Sequence, residues 1–134
     1  MDSLYAMTNC VWGAKADKTI LGKLVTESLE KQPILKDTSQ GADLWCLAVD
    51  PAYRGKKIAN HLIKEAVSLI EKTKKYKWLT IEAFNHFTKK AAEKNGLEVV
   101  HTIDAKDFLW NGEALYNSVP EPHNILVKMM KVLK

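Results

Sequence analysis

Leu44-Trp-Cys-Leu-Ala-Val-Asp-Pro-Ala-Tyr-Arg-Gly-Lys-Lys-Ile-Ala-Asn60 is the stretch on which the reading of this chain turns. Leu44 to Val49 is an unbroken apolar run of strand length, closed by Asp50-Pro51. A basic loop, Arg54-Gly-Lys-Lys57, holds the chain's one arginine, and at Ile58 an amphipathic helix begins. Backbone N–H groups of a loop entering a helix N-terminus form a ready seat for a pyrophosphate. Gly55 and Ala59 are small enough for a phosphate to approach the backbone, and Arg54, Lys56 and Lys57 add positive charge. The stretch therefore predicts a site for a phosphate-bearing, nucleotide-type cofactor, against the blander reading of a basic helix cap.

The pattern on either side predicts alternating strands and helices. Upstream, residues 1–14 are weakly patterned with room for a short strand. Residues 15–31 read as a helix with Ile20, Leu24, Val25, Ser28 and Leu29 on one face. Gln32-Pro33 ends it, and residues 36–43 read as a polar loop. Downstream, Ile58 to Lys75 is the clearest helix, with Ile58, Leu62, Ala66, Leu69 and Ile70 as its apolar stripe. Trp78 to Phe84 reads as a strand, and Asn85 to Asn95 as a helix stopped by Gly96. Leu97 to Ile103 reads as a third strand. Trp110-Asn-Gly-Glu113 reads as a hairpin turn, and Ile125 to Val132 as the last strand. The expected class is α/β (α+β), helices packed on a mixed sheet in one domain over residues 1–134.

Composition narrows the function. The chain has 134 residues, enough for one domain with a real core, and ordinary soluble proportions of 46% hydrophobic and 27% charged residues. No apolar run approaches the length of a membrane span, which predicts no membrane partner. Cys10 and Cys46 are too few for a disulfide framework, and the expected setting is reducing and cytoplasmic. The net charge of +4 is spread as lysines, without the interleaved arginines and aromatics of a nucleic-acid surface, so no nucleic-acid partner is expected. His61, His86, His101 and His123 lack metal-ligand spacing, and no metal site is predicted.

In order and in residues, the chain resembles the GNAT superfamily of acyl-CoA N-acyltransferases. That family carries Arg/Gln-x-x-Gly-x-Gly/Ala in its cofactor loop; here Arg54 matches the first position and Ala59 the last, while Lys57 stands where the middle Gly is usual. Ile81-Glu-Ala-Phe-Asn-His-Phe-Thr-Lys-Lys-Ala-Ala-Glu-Lys-Asn-Gly-Leu-Glu98 is similar to the family's next strand, helix and closing turn. Pro122-His123 and Val127-Lys-Met-Met-Lys131 resemble the invertebrate arylalkylamine N-acetyltransferases. The likeness covers roughly residues 44–134, with residues 1–43 divergent.

The resemblance implies acetyl-CoA as cosubstrate and a small primary amine, of arylalkylamine type, as acceptor. It assigns Leu47, Ala48 and Val49 to the pantetheine arm through their backbone, Arg54, Gly55, Lys56, Lys57, Ile58 and Ala59 to the pyrophosphate, and Asn85 to a hydrogen bond with the arm. Lys57 either restricts the loop's backbone or helps by its charge. Thr88 is the candidate proton donor to the leaving thiolate; the tyrosine commoner in the family falls at Ala92. His86 and His123 are candidate pocket residues. For Glu82 and Asp50 structural roles weigh more than cation binding, and Trp45, Trp78 and Trp110 read as core or pocket walls. Relatives carry a longer first half than the 43 residues before Leu44, so a fragment, a short isoform or a small member is expected. The shortened half leaves strand Leu44–Val49 with an open edge suited to a homodimer. It also gives a second reading, a non-catalytic acyl-CoA-binding or protein-interaction module.

Overall fold

The structure, a computed structural model, describes residues 20–44, 47 and 49–133. The strand expected in 1–14, the first turn of the helix expected from 15, and Trp45, Cys46 and Ala48 lie outside them.

Within the described residues the chain runs α1 (Ile20–Lys31), β1 (Gly41–Leu44), α2 (Ile58–Thr73), β2 (Trp78–Ala83), α3 (His86–Lys94), β3 (Glu98–Asp104) and β4 (Ile125–Val132). The four strands form one mixed sheet in the order β1-β2-β4-β3. β1 runs parallel to β2, and β4 pairs antiparallel with both β2 and β3. The expected mixed sheet flanked by helices is the fold observed.

Period-two alternation gives the sheet two different faces. Leu79, Ile81 and Ala83 of β2 and Val127 and Met129 of β4 point to one side. They are sealed by Ile63 and Val67 of α2, Ala91 and Ala92 of α3, and Leu97. On the other side Leu24 of α1 packs on Ile103 and Leu126. Burying side chains of this size stabilises by about 1.5–3 kcal/mol each, which fixes the helices on the sheet.

Local signals set the ends of α3. The Asn85 side chain accepts from the Thr88 N–H at 2.9 Å, capping the first turn. At the other end Gly96, at φ +86°, turns the chain so that its N–H reaches the Glu93 carbonyl and the Leu97 N–H reaches Ala92. The predicted hairpin turn is present: Trp110 and Glu113 exchange backbone hydrogen bonds across Asn111 and Gly112, both at positive φ.

Two expectations fail. The strand expected over Leu44–Val49 is displaced: regular strand runs Gly41–Leu44, Leu47 and Val49 lie outside it, and Trp45, Cys46 and Ala48 are not among the described residues. Pairing starts early because Gly41 leaves room for the Trp78 ring, and Gln40 accepts from Lys77 N–H at 2.7 Å to bring β1 beside β2. The polar run 36–43 accordingly follows a tight 3₁₀ turn at Pro33–Lys36 and holds another at Thr38–Gln40, then most of β1. The stripe chosen for α2 is also displaced. Ile63 and Val67 are buried, while Leu62 and Leu69 are 46% and 65% exposed. The helix is apolar over a wide arc, and packing on Leu79 and Ile81 selects a face rotated by about one residue.

Candidate active site

Asp50 opens the loop. Its carboxylate accepts from the Ala52 N–H at 2.8 Å and caps a 3₁₀ turn over Pro51–Tyr53, which is a structural role. Arg54, Gly55, Lys56 and Lys57 follow, all exposed. Gly55 sits at φ +80°, where an added Cβ would meet nothing within 4 Å. The loop surface there is open to a ligand. Lys57 sits at φ 60°, ψ 28°, in the left-handed region, immediately before helical Ile58. Left-handed and right-handed residues in succession are the backbone pattern of anion-binding nests. No side chain caps the start of α2, so the first-turn amides keep their donors available. The Lys56 ammonium lies 5.5 Å over the Tyr53 ring. Ile58 and Ala59 are half-buried, and Leu47, also half-buried, packs on the main core.

The α2 N-terminus is tied to the far end of α3. The Asn95 side-chain amide donates to Asn60 Oδ1 at 2.8 Å. Asn85 and Thr88, at the other end of α3, are joined to each other and not to the loop. The nine residues of α3 separate the two groups by about 13 Å along its axis. Asn85 spends its oxygen on the cap, and its Nδ2 remains for a ligand. The same helix end gathers His86 and His123: the His86 N–H donates to His123 Nδ1 at 3.2 Å, and Phe87 packs 5.3 Å from the His123 ring. Acceptance at Nδ1 places the ring proton of neutral His123 on Nε2. Phe87 itself is 71% exposed.

Three strands build a cluster on the α1 side of the sheet. Register sets Asp43 opposite Thr80 and Glu82 opposite Lys128. Thr80 Oγ1 donates to Asp43 Oδ1 at 2.6 Å. Lys128 Nζ contacts the Glu82 carboxylate and lies 3.6 Å from Asp43 Oδ1. Burial, then the Glu82 charge, raises the Asp43 carboxyl to about 7, while Lys128 and the Thr80 hydroxyl pull it down. Solvent reaches 36% of the Asp43 side chain, which tempers the effect of burial. Burial alone would lower Lys128, but its two carboxylate neighbours outweigh it and hold the ammonium above its usual value.

Sequence reasoning did not single out Asp43 or Lys128. The available signal was charge embedded in two apolar strands, Glu82 in Trp78–Ala83 and Lys128, with Lys131 nearer the end, in Ile125–Val132. A cavity of about 680 Å³ lies elsewhere, lined by residues such as Lys31, Glu71, Glu98 and Lys131, and none of the loop or cluster residues borders it. Trp78 is buried as expected, but Trp110 is 39% exposed. His101 pairs with Glu27 of α1 at 2.8 Å. Among the described residues there is no cluster suited to a metal ion, and no helix is long and apolar enough to cross a membrane.

The family model described as Acetyltransferase (GNAT) matches residues 2–97. Comparison with curated protein sequences gives no significant match. Among solved structures, a mosquito arylalkylamine N-acetyltransferase like 5b is similar at TM-score 0.68 and 23% identity, over 92% of this chain and 61% of that one. A Drosophila melanogaster polyamine N-acetyltransferase that forms N-acetylagmatine is similar at TM-score 0.64 and 16% identity, over 91% and 62%. The microcin C7 self-immunity acetyltransferase, solved with acetyl-CoA and AMP, is similar at TM-score 0.52 and 13% identity, over 98% and 86%. The chain thus spans about three-fifths of the two insect proteins.

Proposed function

The chain belongs to the acetyltransferase (GNAT) family, and from that premise we propose that it transfers an acetyl group from acetyl-CoA to a small primary amine, of arylalkylamine type. The carrying observation is the loop: Gly55 and Lys57 in left-handed conformations, an uncapped α2 N-terminus, and open space over Gly55. This arrangement suits a pyrophosphate.

Bound acetyl-CoA supplies the acetyl group as a thioester, whose C–S bond breaks as the amine nitrogen bonds to the carbonyl carbon. Arg54, Lys56 and Lys57 neutralise phosphate charge while the amides from Gly55 to Ala59 hold its oxygens. Leu47, Ala48 and Val49 offer backbone groups to the extended arm. Asn85 Nδ2 donates at the other end of α3, a span of about 13 Å that an extended ligand bridges. Asp43 is our candidate proton acceptor from the incoming ammonium, since its carboxyl changes charge near neutral pH beside the point where β1 leaves β2. The Thr88 hydroxyl, half-buried and without a hydrogen bond among the described residues, is the candidate proton donor to the thiolate. The neighbours' printed activities, on arylalkylamines and on agmatine, support an amine acceptor.

The second reading is an acyl-CoA-binding module without turnover. Ala92 favours it: fully buried and lacking a hydroxyl, it leaves the family's commoner acid position empty of chemistry. The open outer edge of β1 among the described residues supports a homodimer in either case.

The experiment is thiol release from acetyl-CoA against a panel of arylalkylamines, agmatine and polyamines. Saturable release with an arylalkylamine is expected. Saturable acetyl-CoA binding with no release from any amine would replace the transferase with the binding module.

A further inference from the structure

We propose that Glu82 and Lys128 are positioning residues that set the protonation of Asp43, so that three adjacent strands together tune one carboxyl. The inference rests on the reading of Asp43 as the proton acceptor.

The geometry comes from register. Thr80 and Glu82 are two residues apart on β2 and share a face. Pairing with β1 puts Asp43 opposite Thr80, and pairing with β4 puts Lys128 opposite Glu82. The result is one ammonium between two carboxylates. Lys128 contacts Glu82 directly and lies 3.6 Å from Asp43 Oδ1. Asp43 therefore feels the weaker end of the lysine charge together with the repulsion of Glu82. A like charge nearby disfavours ionisation, while the lysine and the hydrogen bond from Thr80 favour it. These are the charged and hydrogen-bonding groups facing Asp43 from β2 and β4.

Burial separates the roles within the cluster. The side chains of Glu82 and Lys128 are each 9% exposed, whereas that of Asp43 is 36% exposed. Glu82 and Lys128 form a closed pair that fixes the local charge. Asp43 is the open member, able to take a proton from an ammonium and return it to solvent. Burial first, and then this balance of charges, raises its carboxyl to about 7. Without Glu82 the carboxyl would lose part of that rise and be a weaker proton acceptor.

The test is a carbon-13 carboxyl NMR titration of the full chain, with Asp43 assigned by its loss in Asp43→Asn. The expected wild-type midpoint is about 7. Glu82→Gln removes the repulsion and lowers the midpoint by about one to two pH units. Thr80→Val removes a stabilising donor and raises it, and this variant keeps the test open should Glu82→Gln not fold. A wild-type midpoint near the ordinary value of about 4 overturns the inference. So does a folded Glu82→Gln, or a folded Thr80→Val, whose midpoint is unchanged. The pH profile of acetyl transfer, measured alongside, is expected to move with the midpoint. A profile that ignores a moving midpoint removes Asp43 from the reaction and so refutes the underlying reading, while leaving the electrostatic tuning supported.

Discussion

Replacing Gly41 with alanine tests whether the β1–β2 register arises as described. Gly41 has φ −126° and ψ 159°, extended backbone that alanine adopts freely, so conformational strain is not at issue. The obstacle is steric. A Cβ on Gly41 would lie 1.9 Å from Cζ3 and 2.0 Å from Cη2 of Trp78, its register partner. Trp78 is only 5% exposed, and close packing resists a swing of its ring. Overpacking a filled core costs about 1–3 kcal/mol, and an overlap this deep with a rigid buried ring belongs at the upper end. The ring's alternative is to leave its site, and removing a buried aromatic costs about 3–5 kcal/mol, so escape is no cheaper. Urea unfolding of Gly41→Ala should therefore show a loss of about 3 kcal/mol. In a Trp78→Leu background the same change should cost far less, with a coupling of about 2 kcal/mol in the double-mutant cycle. A Gly41→Ala protein as stable as wild type would refute the reasoning. A cost that persists undiminished in the Trp78→Leu background would refute it too, because the ring would not be its cause. The register matters for function, since it sets Asp43 opposite Thr80.

Other consequences are as direct. Lys57→Gly relieves a left-handed residue, worth about 1–2 kcal/mol, against about 0.5–1 kcal/mol of glycine entropy; thermal unfolding should shift up by the small difference, about 2 °C. Asn85→Ala removes the α3 cap and should cost about 1 kcal/mol in urea unfolding, with loosening confined to the turn around Thr88 in amide exchange. Asp43 also predicts a pH dependence of stability. Its folded carboxyl is raised from 3.8 to about 7, so the stabilising contribution is complete below about pH 4 and is lost as pH rises through about 7. Asp43→Asn should flatten that part of the stability profile, and a slope unchanged in the variant would contradict it.

Sequence alone disclosed the parts governed by local rules. β4 follows from its apolar run, and α3 from Asn85 at one end and Asn95-Gly96 at the other. The turn at Trp110–Glu113 follows from Asn-Gly. What failed required tertiary information. The apolar run Leu44–Val49 outweighed Gly41-Ala-Asp as a strand, because nothing local reveals that Trp78 will lie across Gly41. On α2 two overlapping apolar stripes compete, and only Leu79 and Ile81 decide between them. The loop residues Arg54 to Ala59 were legible because their chemistry is contiguous. The Asp43, Thr80, Glu82 and Lys128 cluster was not, because its members are up to 85 residues apart and meet only through strand register.

The central claim is that the loop from Arg54 to Ala59 and the start of α2 bind acetyl-CoA. Calorimetric titration of acetyl-CoA into the full chain, beside a folded Arg54→Ala and Gly55→Asp double variant, tests it most directly. The account predicts saturable binding by the wild type, with affinity in the range of about 1 μM to 1 mM usual for enzyme substrates, lost in the variant. No heat of binding from folded wild-type protein, or undiminished affinity in the variant, would contradict it.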